Sequence, residues 1–175
     1  MKYGKDCCIG TFIDGVWVDS KIGKTSRGIL PKLQPFIYDD DGTDGWLLLE
    51  DFSVRIYNEV ITVKKDFDYD LTSIPRFFWS TIGNPAGVRK ITAATIHDVL
   101  YATNMKPQKE CDDLFLELLE AFEEAWLIRN NCYLAVHGFG FMVYPKTKKE
   151  LEEYKKFVVI TTLPKVEEVI EPLLT

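Results

Sequence analysis

One of the chain's two histidines, His97, is followed directly by Asp98 and, four residues on, by Tyr101. Imidazole, carboxylate and phenol together cover most of the proton-transfer chemistry available to a protein near neutral pH. Two further polar clusters flank this one. Upstream lies Asp70-Leu71-Thr72-Ser73-Ile74-Pro75-Arg76, and downstream Cys111-Asp112-Asp113-Leu114-Phe115. Asp70, His97, Asp98 and Asp112 are the candidate catalytic residues, and Ser73, Arg76 and Tyr101 the candidate binding residues. Three kinds of site use such a set. His97, Asp98 and Asp112 suit a divalent metal, with imidazole nitrogen and carboxylate oxygens as ligands. They equally suit acid–base work, in which a carboxylate fixes the imidazole tautomer. The third kind is structural, with Asp98 or Asp112 capping or pairing with Arg76, Arg89 or Arg129, because buried polar groups need partners whether or not they react.

Other chemistry is less well supported. Ser73 lacks the glycine-flanked elbow of an activated serine. The His-Asp dipeptide also serves metal phosphohydrolases, but those need another histidine upstream, and none precedes His97. His137 follows an apolar run and precedes Gly138; a helix C-terminus favours a cation, so capping is its expected role. Cys7 and Cys8 are adjacent and no CxxC pair exists, which disfavours a zinc knuckle. Cys111 and Cys132 are read as reduced, buried thiols. The run Asp39-Asp40-Asp41-Gly42-Thr43-Asp44-Gly45 reads as an acidic turn, since the glutamate at the twelfth position, Glu50, follows an extended segment.

The elements that must position these clusters show in the hydrophobic periodicity. Phe12-Ile13 and Val16-Trp17-Val18 around Asp14-Gly15 predict a hairpin. Residues 46–52 and 54–56 are strand-like, Tyr57-Asn58-Glu59 is a turn, and Val60-Ile61-Thr62-Val63 is the returning strand. Residues 66–75 form a loop. The period then becomes helical over 88–103, 108–126 and 128–141, followed by a charged helix over 148–156 and a β-like run, Val158-Val159-Ile160. The fold class is α+β, with N-terminal antiparallel strands and hairpins, then about three helices, then a charged helix and extension. Residues 1–45 are an N-terminal extension of strand and loop, 46–141 the core domain, and 142–175 a C-terminal helix and tail. His97 and Tyr101 share a face of the first helix, with Asp98 about 100° round the axis. The short turn at 104–107 makes the first two helices antiparallel, which puts His97 and Asp112 at similar height. The loop carrying Asp70, Ser73 and Arg76 is placed to close over them.

Bulk properties set limits on partners. A chain of 175 residues, 46% hydrophobic and 13% aromatic, holds a real core. A net charge of −6 and scattered lysines and arginines argue against general nucleic-acid binding. No run approaches the roughly 20 apolar residues of a membrane helix, and the N-terminal stretch is polar, so no membrane insertion is expected.

The three clusters, in this order, resemble an uncharacterised family of tailed-phage and prophage proteins, domain of unknown function thirteen-fifty-three. That family's pattern runs from a T-D-x-A-S-I-P-R loop ending near F-W, through helices carrying A-A-x-x-H-D-x-L-Y and A-D-x-x-F, to a final M-Y-x-A-V-R-x-x-G helix. Here the loop reads Tyr69-Asp70-Leu71-Thr72-Ser73-Ile74-Pro75-Arg76, with Phe78-Trp79 following. The helices read Ala93-Ala94-Thr95-Ile96-His97-Asp98-Val99-Leu100-Tyr101, Cys111-Asp112-Asp113-Leu114-Phe115 and Cys132-Tyr133-Leu134-Ala135-Val136-His137. Tyr69 stands where threonine is usual, Cys111 replaces alanine and His137 replaces arginine. The resemblance covers roughly residues 46–141. The polar N-terminal stretch makes synthesis in a host cytoplasm the default. The compact size, the unmatched terminal extensions and the absence of a complete catalytic signature point to incorporation into a virion, with other phage structural proteins as partners and self-association compatible with that role. The resemblance itself implies a phage origin. It names no reaction. The expected function is a virion component of the tail or baseplate region; the alternative is a small metal-dependent or acid–base hydrolase acting on host cell wall through the His/Asp cluster.

Overall fold

A computed structural model describes residues 7–19, 30–37, 44–69, 79–83, 87, 89–139 and 148–164. Strands come first: β1 (Cys7–Ile13), β2 (Val16–Asp19), β3 (Leu33–Ile37), β4 (Asp44–Leu48), β5 (Phe52–Ile56), β6 (Glu59–Val63) and β7 (Asp68–Tyr69). Helices follow: α1 (Trp79–Ile82), α2 (Ile91–Thr103), α3 (Gln108–Ala121), α4 (Trp126–Phe139) and α5 (Lys148–Lys155), before a last strand, β8 (Val158–Thr162). This is the expected α+β architecture. The expected hairpin at Asp14-Gly15 forms, and both residues take positive φ (49° and 80°), which suits the twist of a two-residue turn.

The strands make two antiparallel sheets, ordered β2-β1-β5-β6-β8 and β3-β4-β7. The segment expected as one strand from Trp46 to Phe52 divides between them. β4 pairs with β3 and β7, the chain crosses over at residues 49–51, and β5 pairs with β1 and β6. Asp44 and Gly45, expected in an acidic turn, begin β4, while residues 39–43 lie outside the described set. β3 includes Pro35 and forms the edge of its sheet, where a missing backbone donor is tolerated. In β5, Phe52, Val54 and Ile56 alternate inward, as the period of two requires. Val63 and Ile61 of β6 pair with Phe52 and Val54 and are buried, as is Val60, which pairs with Arg55.

The helical layer centres on α2, which packs against α3 and α5 and touches β6, β7 and β8. Eleven of its thirteen residues are buried. The apolar stripes read in the sequence are therefore parts of a helix covered nearly all round. That makes the polar residues of α2 the informative ones, because burial penalises each polar group left without a partner. Thr95 bonds the Ile91 carbonyl (2.8 Å) and the Tyr69 hydroxyl (2.7 Å), and Thr103 bonds the Val99 carbonyl (2.6 Å). α3 ends earlier than the expected 108–126. Glu123 takes a left-handed conformation (φ 53°), the chain turns, and Trp126 opens α4. No helix among the described residues is long and apolar enough to cross a membrane.

Candidate functional site

Asn104 ends α2 in the left-handed region (φ 48°), with its N–H bonded to the Tyr101 carbonyl. Asparagine accepts that conformation more readily than most residues, so the chain reverses within four residues and α3 returns antiparallel to α2. The reversal brings His97 and Asp112 together, with Nε2 3.1 Å from Oδ1. The Tyr101 hydroxyl, one turn along the same face of α2, donates to the same oxygen. The other oxygen faces α4, where Oδ2 lies 2.9 Å from Nδ1 of His137. Asp112 is thus fully buried with three donors, one from each of three side chains on two neighbouring helices. An ionised carboxylate has no proton to give, so His97 presents an Nε2–H to it and His137 an Nδ1–H.

The electrostatics follow from this packing. Burial alone would raise the Asp112 pKa, but hydrogen bonds from His97, Tyr101 and His137 outweigh it and hold the carboxyl below the usual range. Burial alone would also disfavour a charged His97. Its hydrogen bonds to Asp112 and Asp98, reinforced by both charges, instead carry the imidazole pKa above its ordinary value. Burial, and then donation to Asp112, push the Tyr101 phenol far above its usual range, so it stays a donor. Burial and the Asp112 charge push the Cys111 thiol up to about 12. Asp98 lies beside the other face of the ring, its Oδ1 3.5 Å from Nδ1 of His97, at the limit of a hydrogen bond. Tyr101 and Phe115 flank the imidazole, with ring centroids 4.0 and 5.0 Å away.

Of the residues singled out in the sequence, His97, Asp98, Tyr101 and Asp112 come together. Asp70, Ser73 and Arg76 lie outside the described residues, so their expected closure over the cluster does too. Among the described residues, neither expected arginine pairs with Asp112: Arg129 pairs with Glu120 (3.3 Å), and Arg89 donates to the Glu123 carbonyl (3.1 Å). Among the described residues, no three His, Cys, Asp or Glu side chains are arranged to hold a metal ion. His137 does sit in the last turn of α4. Its side chain, however, serves Asp112, which the capping role had not anticipated. One signal in the sequence pointed that way. Tyr133 and His137 are four residues apart, the same spacing as His97 and Tyr101. Tyr133 stacks on His137 (5.4 Å, 6° between planes) and donates to Asp113 Oδ1 (3.0 Å).

Two antiparallel sheets and a helical layer around a buried histidine–aspartate cluster define this as an α+β domain with a polar centre. The chain belongs to the family described as Protein of unknown function (DUF1353), whose model matches residues 46–136, just over half of it. No curated protein and no solved structure gives a match. The matched span contains His97, Asp98, Tyr101 and Asp112, and His137 is the first residue beyond it.

Proposed function

We propose that the protein is a phage-encoded acid–base hydrolase of host cell wall, in which His97 takes a proton from water. One observation carries this reading: a buried carboxylate holds the Nε2–H of His97 from one side, with Tyr101 fixing that carboxylate. Nδ1 is then the basic nitrogen. A proton gained there converts a lone pair facing the Asp98 carboxylate into a donor, so Asp98 stabilises the imidazolium. Because these contacts raise the pKa of His97, Nδ1 carries its proton at rest; it gives that proton to the leaving group and recovers one from the water whose oxygen bonds to the substrate's electrophilic centre. Phage origin is supported by the motif resemblance described above.

The test is release of soluble fragments from purified host peptidoglycan. His97→Gln should lower the rate by about 10²-fold or more, the usual worth of a positioned base. Equal release by the two proteins, or none by either, refutes the reading.

A second reading, a virion component of the tail or baseplate, is favoured by a different observation. The β1–β2 hairpin exposes Phe12, Ile13, Val16 and Val18 at the edge of the five-stranded sheet. An apolar edge of that kind is suited to pairing with another protein. In this reading the Asp112 cluster ties α2, α3 and α4 together. Absence of the protein from purified particles by mass spectrometry refutes it.

A further inference from the structure

His97 and Tyr101 hold Asp112 by one oxygen only. Both donate to Oδ1. A carboxylate held by one oxygen can still turn about its Cβ–Cγ bond and carry its hydrogen bonds off line, where they weaken steeply. Among the described residues, the hydrogen bond on Oδ2 comes from α4, through His137 Nδ1 at 2.9 Å.

His137 is itself held in place. Its ring lies parallel to that of Tyr133, one turn earlier on α4, and the Tyr133 hydroxyl donates to Asp113. Lys109 engages the other oxygen of Asp113 at 2.5 Å. Two consecutive carboxylates of α3 therefore each receive a donor from one face of α4. Asp112 has no accessible side-chain surface, whereas its partner His137 retains 47%. The titratable and charged groups around Asp112 are His97, Asp98 and Tyr101 from α2, Cys111 and Asp113 beside it on α3, and Tyr133 and His137 from α4.

We propose that His137 is a positioning residue for the site: by donating from Nδ1 to Asp112 Oδ2, it fixes the rotation of the carboxylate whose other oxygen orients His97. A half-exposed side chain thereby sets the geometry of a buried one without touching it. For its kinetic consequence the proposal rests on the hydrolase reading; its geometric content does not.

The test separates these two parts. In ¹⁵N-histidine-labelled full-length protein, the Nε2 proton of His97 is followed by NMR with no substrate present. His137→Ala, which removes the donor, should make that proton exchange with water about tenfold faster, the factor expected for one lost hydrogen bond. His137→Gln, whose amide restores a donor, should bring the exchange rate back towards that of the natural protein. A half-exposed position at a helix end tolerates both changes, and melting temperature serves as the control. If His137→Ala lowers the melting temperature but leaves the His97 proton unchanged, the residue merely braces α4 and the proposal is overturned. If Gln fails to restore the exchange rate while keeping the fold, it is overturned as well. Lack of any peptidoglycan hydrolysis by the natural protein would sink the hydrolase reading and leave the exchange experiment fully informative.

Discussion

Replacing Asp112 by asparagine removes one charge and almost no volume, so it isolates what the carboxylate does. The amide oxygen can still accept from His97 and Tyr101 at the Oδ1 position. The amide NH₂ then faces His137, which can present an acceptor by moving its proton to Nε2. The geometry survives and the charge assistance does not. A hydrogen bond to a charged group contributes about 1.5–3 kcal/mol and a neutral one about 1 kcal/mol. With two buried donors and the half-exposed His137, whose share is discounted for solvent screening, the loss sums to about 3 kcal/mol. In a chain of 175 residues that lowers the melting temperature by about 6–12 °C. The pH dependence is the sharper readout. The His97 pKa is raised on folding, so its contribution is complete below the ordinary value of 6.5 and is lost as pH rises through the higher folded value. The Asp112 pKa is lowered, so its contribution is present above 3.8 and is lost as pH falls through the lower folded value. Asp112→Asn removes the second limb altogether and much of the first. Urea unfolding from about pH 2 to about pH 9 measures both, because that window reaches below the carboxylate value of about 3.9 and above the imidazole value of about 6.5. A variant matching the natural protein's stability within about 0.5 kcal/mol at every pH would show the carboxylate to be uncharged or unpartnered, and would refute this account.

Further expectations concern neighbouring groups. Tyr101→Phe removes one donor from Asp112 and should cost about 1–2 kcal/mol in urea unfolding, with any loss of hydrolysis smaller than that of His97→Gln. Gly10→Val should disrupt the first hairpin, since a Cβ there overlaps the Val18 carbonyl oxygen and comes within 2.6 Å of the Trp17 ring; loss of near-ultraviolet signal from Trp17 would report it. Cys111 and Cys132 should resist thiol reagents at neutral pH until the protein unfolds. Both are buried, and burial pushes their pKa values up to about 12 and about 11.

The parts of this fold that could be read in the sequence are those set by local spacing. Asp14-Gly15 announces a two-residue turn whatever surrounds it. The four-residue link after Thr103 leaves α3 little choice but to return beside α2, and the His97–Asp112 contact follows. What escaped depended on the third dimension. Nothing local says that α2 is covered nearly all round, because a helix buried on every side carries no single stripe. The end of α3 at Ala121 has no glycine to mark it; Glu123 takes the left-handed turn with an ordinary side chain. The division of residues 46–56 between two sheets depends on which partners are available, not on β-propensity. His137 joined the cluster through a helix–helix contact 25 residues from Asp112 in sequence, and its place before a glycine suggested a cap first.

The last strand has a consequence for how the molecule is made. β8 lies outside the span shared with the family, yet it covers the flank of β6 along five residue pairs, from Glu59–Thr162 to Val63–Val158. β6 is central to the core, and its backbone on that side has no other strand among the described residues. During synthesis the first 157 residues emerge before β8 exists, so β6 waits with an open hydrogen-bonding edge. An unfinished chain, or one cut at residue 141, carries that apolar edge permanently and would be drawn to other copies of itself. The C-terminal segment therefore acts as a self-supplied seal, and the age of a chain on the ribosome decides whether its sheet is closed.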